Sequence, residues 1–263
     1  MIYLAKTRNL SRAASWWIVK GNLNYSYTLG VLPLTDPYLL AQMLVAGQTP
    51  AELAWIGVAI VVVFYLIVGG RGYCAWVCPV NLLGDAAYRL RTRLGIKGGA
   101  HLSRQARYWM LAMTLVVAAA TGTIAWEMVN PVSMFHRGLI FGMGLAWTVL
   151  LAVFLFDLFV ARRGWCGHLC PVGAFYALIG RLSLLRMMLP RREACNDCMD
   201  CYAVCPEQQV IRPALKAIDG APPVILDAAC TNCGRCIDVC SKDVFRFGVA
   251  VPGIIGAAAP QPK

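Results

Sequence analysis

Residues 195–206 read C-N-D-C-M-D-C-Y-A-V-C-P, and residues 230–241 read C-T-N-C-G-R-C-I-D-V-C-S. Each stretch has the spacing C-x2-C-x2-C-x3-C, and 24 residues separate Cys205 from Cys230. Three cysteines at this interval wrap a tight loop around one corner of a four-iron cube, and thiolate is the soft ligand that iron-sulfur clusters take. In such paired motifs the fourth cysteine crosses over to the other cluster. The pattern therefore assigns Cys195, Cys198, Cys201 and Cys240 to one [4Fe-4S] cluster, and Cys230, Cys233, Cys236 and Cys205 to a second. Zinc sites and disulfides are the competing readings, but zinc ligands come as two separated pairs rather than a run of three. Pro206 follows the first motif, whereas Ser241 follows the second.

The surroundings of this unit are apolar. Of 263 residues, 59% are hydrophobic and 14% charged, and the mean hydropathy is +0.61. The net charge of +11 comes from basic residues beside apolar runs, with no nucleic-acid motif attached, so nucleic acid is excluded as a partner. No secretory signal peptide with a cleavage site is expected from these residues.

Three uncharged runs, Leu53–Gly70, Tyr108–Trp126 and Gly138–Phe156, are each 18 or 19 residues long. At helical rise this is about one bilayer core, so three transmembrane helices are expected. Residues 1–20 hold only the short apolar run Ala13 to Val19, a remnant of a first span in a three- or four-helix membrane protein. Residues 21–52 lack Lys and Arg and contain Gly21, Gly30, Pro33 and Pro37, turn formers that suit an extramembrane or partly inserted segment.

Arginines set the orientation. Arg71, Arg89, Arg91, Arg93, Lys97, Arg104 and Arg107 lie between the first two runs, against Asp85 alone. After the third run come Arg162, Arg163, Arg181, Arg186, Arg191 and Arg192. The positive-inside rule makes both regions cytoplasmic, and with them the cysteine-rich unit. The expected location is the inner membrane, multi-pass. The expected division is an N-terminal segment (1–52), a membrane half (53–192) and a two-cluster unit (193–263).

The chain repeats itself at an offset of 92. R-G-Y-C-A-W-V-C-P-V at 71–80 aligns with R-G-W-C-G-H-L-C-P-V at 163–172. Each copy carries a C-x3-C-P motif and enters a stretch resembling an interfacial amphipathic helix. Cys74, Cys78, Cys166 and Cys170 are thus candidates for one metal or cluster site, for two redox dithiols, or for inert buried thiols. Ionisable residues at span edges are the default candidates for proton handling: Glu127, Asp157, Asp36, His168 and His136.

Residues 21–245 resemble the NapH family, the quinol-dehydrogenase ferredoxin subunit of periplasmic nitrate reductase systems. The likeness rests on V-L-P-L-T-D-P (31–37), C-A-W-V-C-P-V (74–80), T-G-T-I-A-W-E-M-V-N-P-V-S (121–133), G-W-C-G-H-L-C-P-V-G-A (164–174) and the two four-cysteine motifs. The resemblance implies four spans with both ends cytoplasmic, although the first span is short here. It also implies electron transfer from membrane quinol towards a periplasmic reductase, alongside a second ferredoxin-type subunit. The expected architecture is an α-helical membrane protein with a C-terminal α+β, bacterial ferredoxin-like domain carrying two [4Fe-4S] clusters. A metal-centre maturation factor and a thiol redox sensor are the alternative functions.

Overall fold

The structure, a computed structural model, describes residues 19–21, 25–28, 32–96, 98–100, 102–142, 144 and 146–250. The remnant first span expected in residues 1–20 falls almost wholly outside these.

Three short strands open the described chain as an antiparallel meander: β1 (Val19–Gly21), β2 (Tyr25–Thr28) and β3 (Leu32–Thr35). Asp36 then caps helix α1 (Pro37–Val45), its carboxylate accepting from the Tyr38 N–H at 3.0 Å, with Pro37 at the first helical position. That pairing of an acidic cap with a proline at the helix start satisfies or removes amides that have no intrahelical partner. The segment is not peripheral. Tyr38 is 1% exposed and joins Tyr65, Leu111, Trp126, Val172, Ala174 and Tyr176 in one core. Strand β3 lies hard against helix α2 (Glu52–Val68), where a side chain on Gly57 would meet Thr35 Oγ1 at 2.7 Å.

Helix α2 ends at Gly69 and Gly70, and a short helix α3 (Gly72–Trp76) leads into α4 (Pro79–Arg93). Gly70 passes over the later helix α8 (Pro171–Gly180) so closely that an added Cβ would meet the Tyr176 carbonyl and lie 2.6 Å from Gly180 Cα. Helix α5 (Ala106–Thr121) packs on α8 and stops at Gly122, whose positive φ of 66° suits glycine. Helix α6 (Pro131–Phe141) is capped by Asn130 and packs against α7 (Ala146–Leu155), which runs on as a π-turn over Phe156–Val160.

These lengths do not support the expectation of three long spans. Among the described residues, no helix is long and apolar enough to cross a membrane. Helix α2 has 17 residues and α5 has 16, or about 24–26 Å at helical rise against a hydrocarbon core of about 30 Å. The third run does not form one helix, because Gly142, at φ 91°, ends α6 within it. The apolar faces are nevertheless open. Trp109, Met113 and Val116 on α5 are 75%, 51% and 66% exposed, and Trp55, Phe64 and Ile67 on α2 are about half exposed. On α5 these positions fall at four- and three-residue steps along one side, whereas on α2 they lie on more than one side.

A second correction concerns α8. An interfacial amphipathic helix is expected there, yet Pro171, Val172, Gly173, Ala174, Tyr176, Ala177 and Gly180 are all buried. Its sequence is apolar on every side, so it sits centrally, whereas α4 carries Arg89, Arg91 and Arg93 and keeps an exposed side.

The C-terminal unit is small and mixed. Strand β4 (Leu185–Met188) pairs antiparallel with β5 (Arg246–Val249). Helices α9 (Asp200–Val204), α10 (Ile211–Leu215) and α11 (Arg235–Val239) complete it, with α9 packed on α11. Its core includes Met187, Leu189, Ile211, Ile225, Val244 and Phe245.

Candidate functional site

The two four-cysteine motifs fold alike at an offset of 35. Asp197 and Asn232, before the second cysteine of each motif, have φ of 57° and 50°. Met199 and Gly234, after it, have φ of 66° and 75° and begin α9 and α11. Asp, Asn and Gly tolerate the left-handed region, which turns the chain sharply enough to point successive cysteines at one place. The thiols of Cys195 and Cys230 lie 3.5 Å from the side-chain oxygens of Asp197 and Asn232 respectively. After each short helix, Cys205 and Cys240 leave in extended conformation.

The result is two cavities. One is lined by Cys195, Cys198, Cys201 and Cys240, walled by Leu215, Val244 and Phe245. The other is lined by Cys205, Cys230, Cys233 and Cys236, walled by Val210, Ile211 and Ile225. The fourth cysteine of each motif thus faces the other motif's cavity. Burial pushes the thiols of Cys201 and Cys230 up to about 11 and that of Cys205 to about 12. Bare thiolates are disfavoured in such places, and metal binding offsets the cost of deprotonation. Among the described residues, no three His, Cys, Asp or Glu side chains close on a single ion position. A cube distributes its four thiolates over four irons, so these cradles fit a cluster rather than one zinc ion.

The repeat at offset 92 is also visible in the backbone. Cys78 and Cys170 cap α4 and α8 with φ/ψ of −72°/118° and −69°/113°. Their N–H groups donate to the carbonyls of Tyr73 and Trp165, themselves 92 apart, at 3.0 and 2.9 Å. The structure brings all four boundary cysteines together: Cys74, Cys78, Cys166 and Cys170 line one cavity with Tyr73, Trp126, Trp165 and Asp36. Burial, reinforced by neighbouring thiols, pushes Cys78 and Cys170 up to about 12. Cys74 and Cys166 also line an adjoining cavity with Arg71, Arg163, Glu207, Arg235 and Cys233. Cys233 belongs in turn to the second ferredoxin cavity, so three cavities follow one another through shared cysteines.

Two carboxylates, buried Glu207 and half-buried Asp85, neither singled out by sequence reasoning, lock these parts together. Glu207 accepts from Arg71 Nη1 at 2.8 Å, and Arg107 and Arg104 stand at 3.5 and 3.9 Å. Arg71 also donates to the Ala229 carbonyl at 2.8 Å and the Cys166 carbonyl at 3.2 Å. One guanidinium therefore ties the first repeat to the second and to the C-terminal unit. Burial opposes ionisation of Glu207, but the Arg71 charge and the hydrogen bonds it receives prevail and hold it below the ordinary carboxylate value. Asp85 on α4 pairs with Arg163 of the second repeat and with Arg235 on α11. The one sequence signal for Glu207 is its place right after Cys205-Pro206 in a chain poor in acids.

The proton-handling candidates scatter. Asp36 is in the four-cysteine cavity and accepts from Tyr176 Oη at 3.3 Å. Asp157 accepts from the Trp165 N–H at 2.9 Å and lines the adjoining cavity. Glu127 meets Arg137 at 3.9 Å and accepts from Asn130 and Ser133 in the turn before α6. His136 is half-buried on α6. His168 has a buried Nδ1 with no hydrogen-bond partner.

Comparison with known proteins bears on the class. A 4Fe-4S dicluster domain family matches residues 187–242, and a 4Fe-4S binding domain family matches twice, at 52–97 and 141–191. This defines an iron-sulfur, ferredoxin-type electron-transfer protein. The chain is 46% identical over 231 residues to the ferredoxin-type protein NapH of Haemophilus influenzae, covering 88% of this chain and 80% of the relative. It is 44% identical to NapH of Escherichia coli with the same coverage. It is 53% identical over 234 residues to the methylamine utilization ferredoxin-type protein MauN of Methylorubrum extorquens, covering 89% and 81%. The chain belongs to the NapH family of ferredoxin-type proteins, in which MauN proteins are close kin. No solved structure matches it.

Proposed function

We propose that this protein takes electrons from membrane quinol and passes them towards a periplasmic nitrate reductase. The observation that carries the reading is the succession of cysteine-lined cavities, from the aromatic-walled pocket of Cys74, Cys78, Cys166 and Cys170 to the two ferredoxin cavities. The two [4Fe-4S] clusters, on Cys195, Cys198, Cys201 and Cys240 and on Cys230, Cys233, Cys236 and Cys205, supply one-electron acceptance and donation when bound. Arg71, Glu207, Asp85 and Arg235 hold the unit of residues 193–263 against residues 53–192. Asp36, beside the aromatic walls of the boundary pocket, is placed to accept a proton from a quinol hydroxyl.

The location is the inner membrane, with residues 1–52 leading in and the ferredoxin unit on the cytoplasmic side. The open apolar faces of α2 and α5 and the arginine-rich segments 71–107 and 162–192 support it. A second ferredoxin-type subunit and a reductase are the implied partners.

A second reading has its own support: the MauN relatives are 53% and 54% identical, above the NapH ones. Those relatives are named as methylamine utilization ferredoxin-type proteins, and on this reading the chain passes electrons in that process. Deleting the gene separates the two. Loss of quinol-driven nitrate reduction, with activity kept when an artificial donor is supplied, supports the first reading. Normal nitrate reduction with failed growth on methylamine overturns it in favour of the second.

A further inference from the structure

The four boundary cysteines form a site that the two-cluster motif does not account for. We propose that Cys74, Cys78, Cys166 and Cys170 hold a third four-iron cluster, each repeat contributing two thiolates. This deepens the proposed function by naming the redox group at the electron-entry end.

The arithmetic of the repeats points this way. The 4Fe-4S binding domain family matches residues 52–97 and 141–191 separately, yet each match contains two cysteines. A cube takes four thiolates, so neither half is complete alone, and the fold supplies the missing pair by facing the repeats at one cavity.

The geometry favours a cluster over the other occupants. Four cysteine thiols, two from each repeat, line the one cavity, and a cube spreads four thiolates over four irons. Around the four thiols the lining is mostly aromatic and aliphatic, with Tyr73, Val80, Trp126, Trp165 and Val172, and Asp36 and Asn130 are its polar members.

The local backbone is built for a negatively charged group. Cys78 and Cys170 sit at the N-termini of α4, with 15 residues, and α8, with 10. The positive end of a helix stabilises a thiolate placed there. Arg71 and Arg163, equivalent in the repeat and both buried, line the adjoining cavity beside Cys74 and Cys166 and add countercharge. On assembly, each sulfur bonds one iron and its proton leaves to solvent, with two ferric irons, two ferrous irons and four sulfides coming from an external donor.

The test is a count. The full-length chain is purified anaerobically in detergent, reconstituted with ferric and ferrous iron and sulfide, and assayed for iron and sulfide per polypeptide. The proposal expects about twelve irons and twelve sulfides, from three cubes. Cys78→Ser with Cys170→Ser should remove about a third of each while the electron paramagnetic resonance signals of the two ferredoxin clusters persist. A wild-type count of about eight overturns the proposal, and so does a variant that keeps the full wild-type count. If the variant does not fold, the wild-type count decides alone. Iron content is independent of quinol, so a failed quinol assay does not touch this result.

Discussion

Replacing Glu207 by Gln isolates the charge that joins the two halves of the molecule. The Gln side-chain oxygen can still accept from Arg71 Nη1, so the hydrogen bond at 2.8 Å is largely kept. What is lost is the negative charge facing Arg71 and Arg107, whose side chains are 2% and 5% exposed. Breaking a buried ion pair from one side costs about 3–5 kcal/mol, because the partner stays buried and uncompensated. With the hydrogen bond retained, the lower end applies, about 3 kcal/mol, which corresponds to a melting temperature lower by about 6–12 °C in a protein of this size. The assay is a thermal melt of the cluster-loaded chain in detergent, followed by tryptophan fluorescence. The folded pKa of Glu207 lies below its ordinary value of 4.5. Its contribution is therefore fully present above the unfolded value and fades as pH falls through the folded one. The deficit of the variant should be the same at about pH 6 and about pH 8, where the carboxylate is ionised in both states. Arg71→Met in the Glu207→Gln background should cost less than the sum of the two single changes. An unchanged melting temperature, a deficit that varies across that pH range, or strict additivity would refute the reasoning.

Cys205→Ser should abolish or alter the cluster signal of the Cys230, Cys233 and Cys236 cavity and spare that of Cys195, Cys198 and Cys201; spectra showing loss of the latter alone would defeat the crossover. Gly70→Ala forces a methyl into the Tyr176 carbonyl and Gly180 backbone and should destabilise by about 1–3 kcal/mol, since backbone cannot rotate away. Gly180→Ala, whose nearest contact is 3.4 Å, should cost less, and the reverse order in melting would overturn the crossing described for Gly70 and α8. A reporter fused after Lys263 should read cytoplasmic and one fused after Ser133 should read periplasmic; the same side for both would mean that the helices between are misplaced in the membrane.

The features legible in the sequence are those encoded by local spacing. The C-x2-C loops need left-handed residues at set positions, and Asp197, Asn232 and Gly234 are types that supply them. The offset-92 repeat is likewise local, with Pro79 and Pro171 opening helices behind Cys78 and Cys170. The interactions that assemble the halves are not local. Arg71 and Glu207 are 136 positions apart, and Asp85 and Arg235 are 150 apart, so neither motif nor periodicity couples them. Helix ends escape local reading for a similar reason. An uncharged run reports solubility in an apolar phase, whereas Gly142 and Gly122 end helices by backbone conformation inside runs that carry no charge to mark the break. The central position of α8 follows from Gly70 and Gly180 allowing two backbones to touch, a contact that only the fold reveals.

The central claim is that electrons enter from quinol and reach the ferredoxin clusters through this one chain. The most direct measurement is anaerobic mixing of a reduced quinol with the cluster-loaded, full-length protein in lipid vesicles, followed by visible absorbance and electron paramagnetic resonance. Bleaching of the clusters by quinol, abolished in Cys74→Ser and Cys166→Ser proteins that keep both ferredoxin clusters, is the predicted result. Clusters that dithionite reduces but quinol leaves oxidised would contradict the account.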